Sequence, residues 1–288
     1  MSVVFLCVGA AKAGTSWLHR QLADHPECHF RAIKELHYFN AIDEGTLKSE
    51  FRKHKAWHQE LLERVALSDT APTDDQAMRL ADRGAWLDVL DARVEDREAY
   101  LGYLHGGADQ AKVVGEMTPA YALLSVERLR TMAEMAPDVR FLYLLRDPVE
   151  RLWSHVRMIA GRRDPAGDVT VDSCAAILNR TIAGEETEIV KRSDYASALD
   201  RLKAAVAPAR LLVEVFEDMV RGDGLNRICD FLGISRMAGD PTPVYEGRAL
   251  AMNAAQRSLA INWLAPQYAA AEAALGRRPD AWAQGGWT

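Results

Sequence analysis

The sequence has no excess of basic residues and no long apolar run. Among 288 residues, 41 Asp and Glu outnumber 35 Lys and Arg, which gives a formal net charge of −6. A general nucleic-acid binder needs a basic surface to neutralise phosphates, so that class of partner is disfavoured, and an anionic ligand must be met by a local group of cations. No apolar run approaches the roughly 18 residues of a membrane span, so we predict none.

Cysteine pairs and linkers are also lacking. The four cysteines, Cys7, Cys28, Cys174 and Cys229, are scattered without C-x-x-C or metal-ligand spacing. This pattern favours free thiols in a reducing compartment and predicts no metal site. No signal-peptide pattern precedes the first apolar run, so we expect a cytoplasmic protein. Without Gly/Ser linkers or internal repeats, residues 1–288 are predicted to form a single domain.

The N-terminal stretch combines a buried strand, a tight loop and an amphipathic helix. Val3–Val8 is an unbroken apolar run, as expected for a central parallel strand covered on both faces. The run stops at Gly9, and a helix capped by Thr15 or Ser16 is predicted to continue to Pro26. The N–H groups at the start of such a helix are well placed to bind a phosphate. We therefore interpret this stretch as a phosphate-binding loop.

The residues of this loop differ from two common nucleotide-binding motifs. A nucleoside-triphosphatase loop reads G-x-x-x-x-G-K-[ST], with lysine directly after the second glycine. Gly9 and Gly14 keep that spacing, but Thr15 stands where the lysine would be, and the lysine lies earlier, at Lys12. The G-x-G-x-x-G spacing of a dinucleotide fold is absent. The loop instead resembles K-x-G-T-[ST]-x-L or K-x-G-T-T-W, the first motif of sulfotransferases that use 3′-phosphoadenosine 5′-phosphosulfate.

This resemblance implies a fold and a cofactor. The fold would be α/β, a P-loop-like parallel sheet of about five strands flanked by helices on both faces. The cofactor would be 3′-phosphoadenosine 5′-phosphosulfate, which leaves as adenosine 3′,5′-bisphosphate, with no metal required. The cofactor-binding residues implied in the loop are Lys12, Ala13, Gly14, Thr15, Ser16 and Trp17.

The alternation of strands and helices pauses and then resumes. Residues 41–110 carry no long strand-like run, and we interpret them as a helical insertion that either shapes an acceptor pocket or serves packing alone. A short strand is predicted at 112–117, a helix at 125–136 and a strongly apolar strand at 141–145. Open parallel sheets bind ligands beyond the C-terminal ends of their strands, so Arg146 is expected to face the same crevice as the Lys12 loop.

A second motif extends the resemblance. L-R-D-P-V-E-R-L-W-S-H is similar to R-[DN]-P-x-x-R-x-x-S-x-[YH] of the same family, although Val156 stands where tyrosine is common. The resemblance implies that Arg146 and Ser154 hold the 3′-phosphate of the cofactor. The alternative is that Arg146 pairs with a carboxylate and Ser154 is a solvated helix residue. Near the C-terminus, Arg248 either contacts the nucleotide, as a basic segment does in the family, or is an ordinary surface arginine.

The reaction requires a base and a cation on opposite sides of the sulfur. Lys12 is the natural cation, because it lies where charge develops on the leaving phosphate oxygen. Glu35 and His37 share one face if their segment is extended, and the segment resembles K-E-x-H-[FY]-F, in which the glutamate is the general base. We assign Glu35 as base and His37 as its neighbour that orients it or the acceptor. Partial desolvation is expected to raise the pKa of Glu35, and a salt bridge from Glu35 to Lys34 or Lys12 is the alternative.

One departure bears on the acceptor. Several carbohydrate sulfotransferases read E-K-[ST]-P-x-Y, where this chain has Met117 in place of the lysine. A heavily anionic acceptor is therefore disfavoured, which leaves a neutral sugar, a lipid headgroup or a hydroxylated small metabolite. Two other functions stay open, a P-loop kinase that uses Mg-ATP and a non-catalytic nucleotide-binding relative. The kinase is disfavoured because no lysine follows Gly14.

Overall fold

A computed structural model of the chain describes residues 2–68, 71–108, 110–242, 244 and 250–283. Its sheet has five parallel strands in the order β2-β3-β1-β4-β5. The strands are β1 (Val3–Gly9), β2 (Cys28–Phe30), β3 (Val113–Met117), β4 (Val139–Leu145) and β5 (Leu211–Val215). This architecture confirms the predicted fold class, a parallel sheet flanked by helices.

Helices connect the strands and cover the sheet. The α-helices of the first half are α1 (Thr15–Ala23), α2 (Tyr38–Asp43), α3 (Leu47–Ala66), α4 (Asp74–Asp91), α5 (Arg97–His105) and α6 (Val126–Ala133). Those of the second half are α7 (Pro148–Arg163), α8 (Val171–Ile182), α9 (Thr187–Ser193), α10 (Tyr195–Ala205), α11 (Phe216–Arg221), α12 (Gly224–Leu232), α13 (Ala254–Leu275) and α14 (Asp280–Ala283). Short 3₁₀ turns occupy Pro119–Leu123 and Pro208–Arg210.

The two most apolar strands lie at the centre of the sheet. β1 pairs with β3 on one side and with β4 on the other. Consecutive residues of β1 and β4 are buried, which shows that both faces of the sheet are covered. Because all strands are parallel, their C-terminal ends meet at one edge, where Gly9, Met117, Leu145 and Val215 end four of them. The candidate site residues follow these ends.

The predicted cap of α1 is wrong, and local contacts set the other boundaries. α1 begins at Thr15, but its N-cap is Gly14 in a left-handed conformation rather than a hydroxyl residue. α10 begins at Tyr195 with Asp194 as its cap, whose carboxylate accepts from the Ser197 amide. After β3, Thr118 leads into the 3₁₀ turn at Pro119–Leu123. Helices α8 and α9 were not predicted.

An aromatic cluster joins the helices between β2 and β3 to the sheet. Tyr38 stacks on Tyr100 with ring centroids 5.0 Å apart and meets Trp86 edge-on at 5.7 Å. Phe39 meets Tyr121 edge-on at 5.5 Å, directly after β3. All five side chains are buried. The cluster therefore fixes the start of α2, and with it the segment that carries Glu35 and His37.

The described residues contain neither a membrane-spanning helix nor a metal-ligand cluster. None of their helices is long and apolar enough to cross a bilayer. No three of their His, Cys, Asp or Glu side chains are grouped so that they could hold a metal ion.

Candidate active site

The loop between β1 and α1 is shaped by two left-handed residues. Lys12 has φ 70° and Gly14 has φ 87°. A Cβ atom on Gly14 would lie 2.2 Å from Cδ2 of Phe216, so only glycine fits there. No side chain caps the first N–H groups of α1. These groups are therefore directed toward the crevice at the edge of the sheet, where an anion can accept their hydrogen bonds.

Cations surround this loop. The Lys12 ammonium lies 3.8 Å from the Met158 sulfur on α7. Burial lowers the pKa of Lys12, and the positive charges of Arg146, Arg162 and Arg157 lower it further. In a chain with a net charge of −6, this concentration of positive charge is local. Such a group of cations is suited to a ligand with more than one phosphate or sulfate group.

Arg146 lies directly beside the loop. Its Nη1 donates to the Lys12 carbonyl at 3.3 Å, and its guanidinium lies over the Phe216 ring, 5.1 Å from the ring centroid. Among the described residues its buried Nε has no hydrogen-bond partner. A buried guanidinium nitrogen without a partner is costly, so this atom indicates a site for an acceptor from a ligand.

Two hydrogen bonds with Tyr195 fix the backbone of Arg146. The Tyr195 hydroxyl accepts from the Arg146 amide at 3.2 Å and donates to its carbonyl at 2.9 Å. The next residue, Asp147, caps α7 through the amides of Val149 and Glu150. Burial raises the pKa of Asp147, against the hydrogen bonds that it accepts. Arg146 is thus fixed between a strand end and a capped helix.

Ser154 lies on the face of α7 that is directed toward the loop. Arg151, three residues earlier, is fully buried and donates to the Ser193 hydroxyl and, at 3.5 Å, to the Ala11 carbonyl. Met158, four residues later, contacts Lys12. Residues three and four apart share a helix face, so the half-buried Ser154 lies between these two contacts. The Lys12 loop, Arg146 and this face of α7 are thus neighbours at the C-terminal edge of the sheet.

Glu35 and His37 lie in the segment that follows β2. Glu35 Oε2 is 3.6 Å from His37 Nε2, and Glu35 Oε1 is 2.8 Å from the Lys34 ammonium. Burial would raise the pKa of Glu35, but His37 and Lys34 outweigh it and lower the pKa to about 2. The hydrogen bond with Glu35 raises the pKa of His37. The expected increase in the pKa of Glu35 is thus replaced by a decrease, because the carboxylate is 43% exposed and has two cationic neighbours.

Comparison with known proteins identifies the family. The sequence profile of the sulfotransferase family matches residues 5–238. The chain belongs to the sulfotransferase family. It is therefore similar to enzymes that transfer a sulfuryl group, and the family implies a small-molecule acceptor. Comparison with curated protein sequences returned no match.

Solved structures share the fold of this sulfotransferase. A sulfotransferase from Alicyclobacillus acidocaldarius is 23% identical, with a TM-score of 0.62 over 98% of this chain and 99% of that one. The sulfotransferase domain of the Synechococcus PCC 7002 olefin synthase is 19% identical, with a TM-score of 0.55 over 93% of this chain and 94% of that one. The sulfotransferase domain of the curacin biosynthetic pathway is 16% identical, with a TM-score of 0.57 over 96% and 98% of the two chains.

The remaining predicted residues have different surroundings. Thr15 is buried, and its hydroxyl is 3.5 Å from the Lys34 ammonium. Trp17 is buried and donates its indole N–H to the Asp240 carbonyl at 2.8 Å. Ala13 is buried in the sulfotransferase core and Ser16 is half-buried. Arg248 lies outside the described residues.

Three contributors to the site were not predicted as site residues from the sequence. Phe216 fills the space beside Gly14 and supports Arg146. Lys34 links Glu35 to Thr15 across the crevice. Arg151 joins α7 to the loop and to α9. Lys34 was signalled by its position beside Glu35, and Arg151 by its place on the helical stripe of Ser154, whereas nothing in the sequence pointed to Phe216.

Proposed function

We propose that this sulfotransferase transfers the sulfuryl group of 3′-phosphoadenosine 5′-phosphosulfate to a hydroxyl or amine of a neutral carbohydrate, a lipid headgroup or a small metabolite. The observation that carries the proposal is the unpartnered, buried Nε of Arg146 beside the Lys12 loop. In this proposal the N-terminus of α1 binds one anionic group, and Arg146, at the end of β4, binds a second. A nucleotide with charge at both its 5′ and 3′ positions matches two such sites.

The residues present fit this cofactor. Lys12 and the free N–H groups after Gly14 would hold the 5′-phosphosulfate, while Arg146 and Ser154 would hold the 3′-phosphate. The side of Gly14 that lacks a Cβ atom packs against the Phe216 ring, which also lies under the Arg146 guanidinium and so holds the loop beside Arg146. When bound, the cofactor would supply the sulfuryl group: its sulfur would form a bond to the oxygen or nitrogen of the acceptor while its bond to the bridging phosphate oxygen breaks, with the electron pair of that bond left on the phosphate oxygen.

The side chains divide the remaining tasks. Glu35 is ionised at neutral pH and takes the proton from the acceptor as the new bond to sulfur forms. Lys12 faces the leaving phosphate oxygen and stabilises its developing charge. His37 orients Glu35 through their contact of 3.6 Å. The pairing of Glu35 with Lys34 weakens Glu35 as a base, so the acceptor group is expected to displace the Lys34 ammonium before transfer.

Ligand-dependent unfolding tests the cofactor. A ligand present at about 100 times its dissociation constant stabilises a protein by roughly 2.7 kcal/mol, which raises the unfolding midpoint by several degrees. We expect this shift with adenosine 3′,5′-bisphosphate and not with AMP, because AMP lacks the 3′-phosphate. Arg146→Gln should abolish the difference between the two ligands. The matched control is Arg79→Gln, which changes an arginine that is 60% exposed on α4.

The alternatives predict other results. Stabilisation by Mg-ATP and not by the bisphosphate would favour a P-loop kinase. Stabilisation by the bisphosphate without transfer of labelled sulfate to any member of a panel of hydroxyl and amine acceptors would favour a non-catalytic relative. Transfer that continues in the presence of a metal chelator is expected for the proposed function, since none of its steps uses a metal.

A further inference from the structure

A buried carboxylate lies directly under the segment that carries Glu35 and His37. Glu116, at the end of β3, is 3% exposed. Its Oε1 accepts from the hydroxyls of Tyr100 and Tyr121, both at 2.7 Å. Its Oε2 accepts from the Thr118 hydroxyl at 2.6 Å and from the Leu36 amide at 3.2 Å. The carboxylate has four donors and is thus saturated by the protein itself.

Thr118 extends this network to the next amide. The His37 amide donates to Thr118 Oγ1 at 3.5 Å. The single proton of that hydroxyl is directed to Glu116, so Thr118 accepts from His37 with a lone pair. Two successive amides, those of Leu36 and His37, are therefore anchored to one carboxylate oxygen, one directly and one through a hydroxyl.

The anchored segment has an unfavourable backbone conformation. Glu35 has φ 62° and His37 has φ 54°, both left-handed without being glycine. Such residues persist only where the surrounding structure fixes them, and they are concentrated at functional sites. Leu36, between them, is buried. The two anchored amides belong to the residues that directly follow Glu35, so the network acts where the strain occurs.

We propose that Glu116 and Thr118 are positioning residues, which hold the strained turn at residues 35–37 so that the Glu35 carboxylate and the His37 imidazole face each other. The assignment of catalysis to this pair rests on the proposed function, but the positioning itself does not. Both residues hold the turn through backbone amides, those of Leu36 and His37. The proposal gives a reason for a buried carboxylate at the end of β3, where burial raises its pKa and so opposes its charge.

The pKa of His37 reports the conformation of the turn at residues 35–37, because the groups around the imidazole shift it. Glu35 raises the pKa of His37 through their hydrogen bond, and Glu116 and the Asn40 side chain raise it further. On α3, burial lowers the pKa of His54 to about 4, and the charge of His37 contributes to this decrease. Because Glu35 is the largest contributor, a loosened turn should lower the pKa of His37.

Three variants separate positioning from general stability. Thr118→Val removes the link to His37, whereas Thr118→Ser keeps the hydroxyl and should rescue it. Thr181→Val is the matched control, since it makes the same change at a buried threonine on α8, whose hydroxyl donates to the Ile177 carbonyl. We expect Thr118→Val to speed hydrogen exchange of the His37 amide by about tenfold or more and to lower the imidazole pKa, both measured by NMR. Thr118→Ser and Thr181→Val should change neither quantity.

The results decide the proposal independently of activity. Unchanged exchange and titration of His37 in a folded Thr118→Val variant would overturn it. If that variant does not fold, exchange in the wild-type protein decides, because rapid exchange of the Leu36 and His37 amides would contradict the anchoring and slow exchange would support it. Failure of adenosine 3′,5′-bisphosphate to bind would refute the proposed function and leave the positioning result standing. Where transfer is measurable, Thr118→Val should lower kcat about tenfold with KM for the cofactor unchanged.

Discussion

At the scale of single residues, the pair of Glu35 and His37 determines the expected pH dependence. The pKa of Glu35 is about 2, so its ionisation does not limit activity near neutral pH. The pKa of His37 is raised above its ordinary value near 6.5. As the pH rises through the pKa of His37, the imidazolium loses its proton and no longer stabilises the ionised Glu35 carboxylate. Glu35 then becomes the stronger base, and kcat should rise across that pH range.

Replacing Glu35 tests this assignment directly. Glu35→Gln should lower kcat at least about 100-fold, because the general base is lost, and should leave the affinity for adenosine 3′,5′-bisphosphate unchanged. It should also lower the pKa of His37, whose largest stabilising contact disappears. The matched control is Glu44→Gln, an exposed carboxylate at the end of α2. Near-wild-type transfer by Glu35→Gln, with normal bisphosphate binding, would show that Glu35 is not the base.

Gly14 is the residue at which backbone and packing constraints coincide. Gly14→Ala would place a Cβ atom 2.2 Å from the Phe216 ring, which supports Arg146. We expect a destabilisation of about 3 kcal/mol or more, with weaker bisphosphate binding. Gly45→Ala is the matched control, because Gly45 is also left-handed at φ 66° but has no atom within 4 Å of the added Cβ. It should cost about 1 kcal/mol, and chemical denaturation of both variants measures the difference.

At the scale of the secondary-structure elements, the helices between β2 and β3 have two alternative roles, shaping an acceptor pocket or packing alone. Trp57 on α3 is contacted by the Lys53 ammonium, 4.9 Å from its ring centroid, and by the Arg83 guanidinium of α4 at 5.3 Å. It is 44% exposed. The Arg83 contact joins α3 to α4, whereas Lys53 lies on α3 itself, so Trp57 helps to hold the two helices together, which is the packing interpretation of this helical insertion.

That interpretation predicts a change in stability alone. Trp57→Ala should destabilise the protein by about 1 kcal/mol through loss of the two cation–π contacts, measured by denaturant unfolding. Bisphosphate affinity and the KM of an identified acceptor should stay within about twofold of wild type. Leu67→Ala, at a side chain that is 86% exposed, should change nothing. A selective rise in the acceptor KM for Trp57→Ala would instead assign the insertion to the acceptor pocket.

The elements differ in how far they could be predicted from the sequence. β1 and β4 were predictable because their apolar runs are fully buried and end in recognisable turns. α8 was not predicted, although Thr170 forms a capping box with Ser173 and the buried residues Cys174, Ile177, Leu178 and Thr181 recur at helical spacing. The Lys12 loop and Arg146 were predictable because each lies in a motif whose residues are close together in the sequence. Tyr195 lies 49 positions from Arg146, and only the tertiary fold shows that it holds that residue.

At the scale of the whole molecule, an acidic chain concentrates positive charge at one edge of its sheet. Lys12 and Arg146 lie inside the crevice, and Arg162 lies at its exposed rim, where its charge still lowers the pKa of Lys12. The rim is open to solvent, so its contribution is screened by salt, whereas that of the half-buried cations is screened much less. The net charge of −6 provides no general attraction for an anionic ligand. Attraction of the nucleotide should therefore depend on this one local field.

The contribution of Arg162 to nucleotide binding can be compared with that of Arg163, its neighbour in the sequence. Arg162→Gln should weaken adenosine 3′,5′-bisphosphate binding about threefold to tenfold near 0.05 M salt, and the loss should vanish near 0.5 M, where the Debye length is only a few ångströms. Arg163→Gln is the matched control, because Arg163 is paired with Glu186 at 2.6 Å and adds little to the field. Titration calorimetry across salt concentrations measures both variants. A loss for Arg162→Gln that persists unchanged at high salt would mean that Arg162 contacts the nucleotide directly, and the cofactor site would then extend to the last turn of α7.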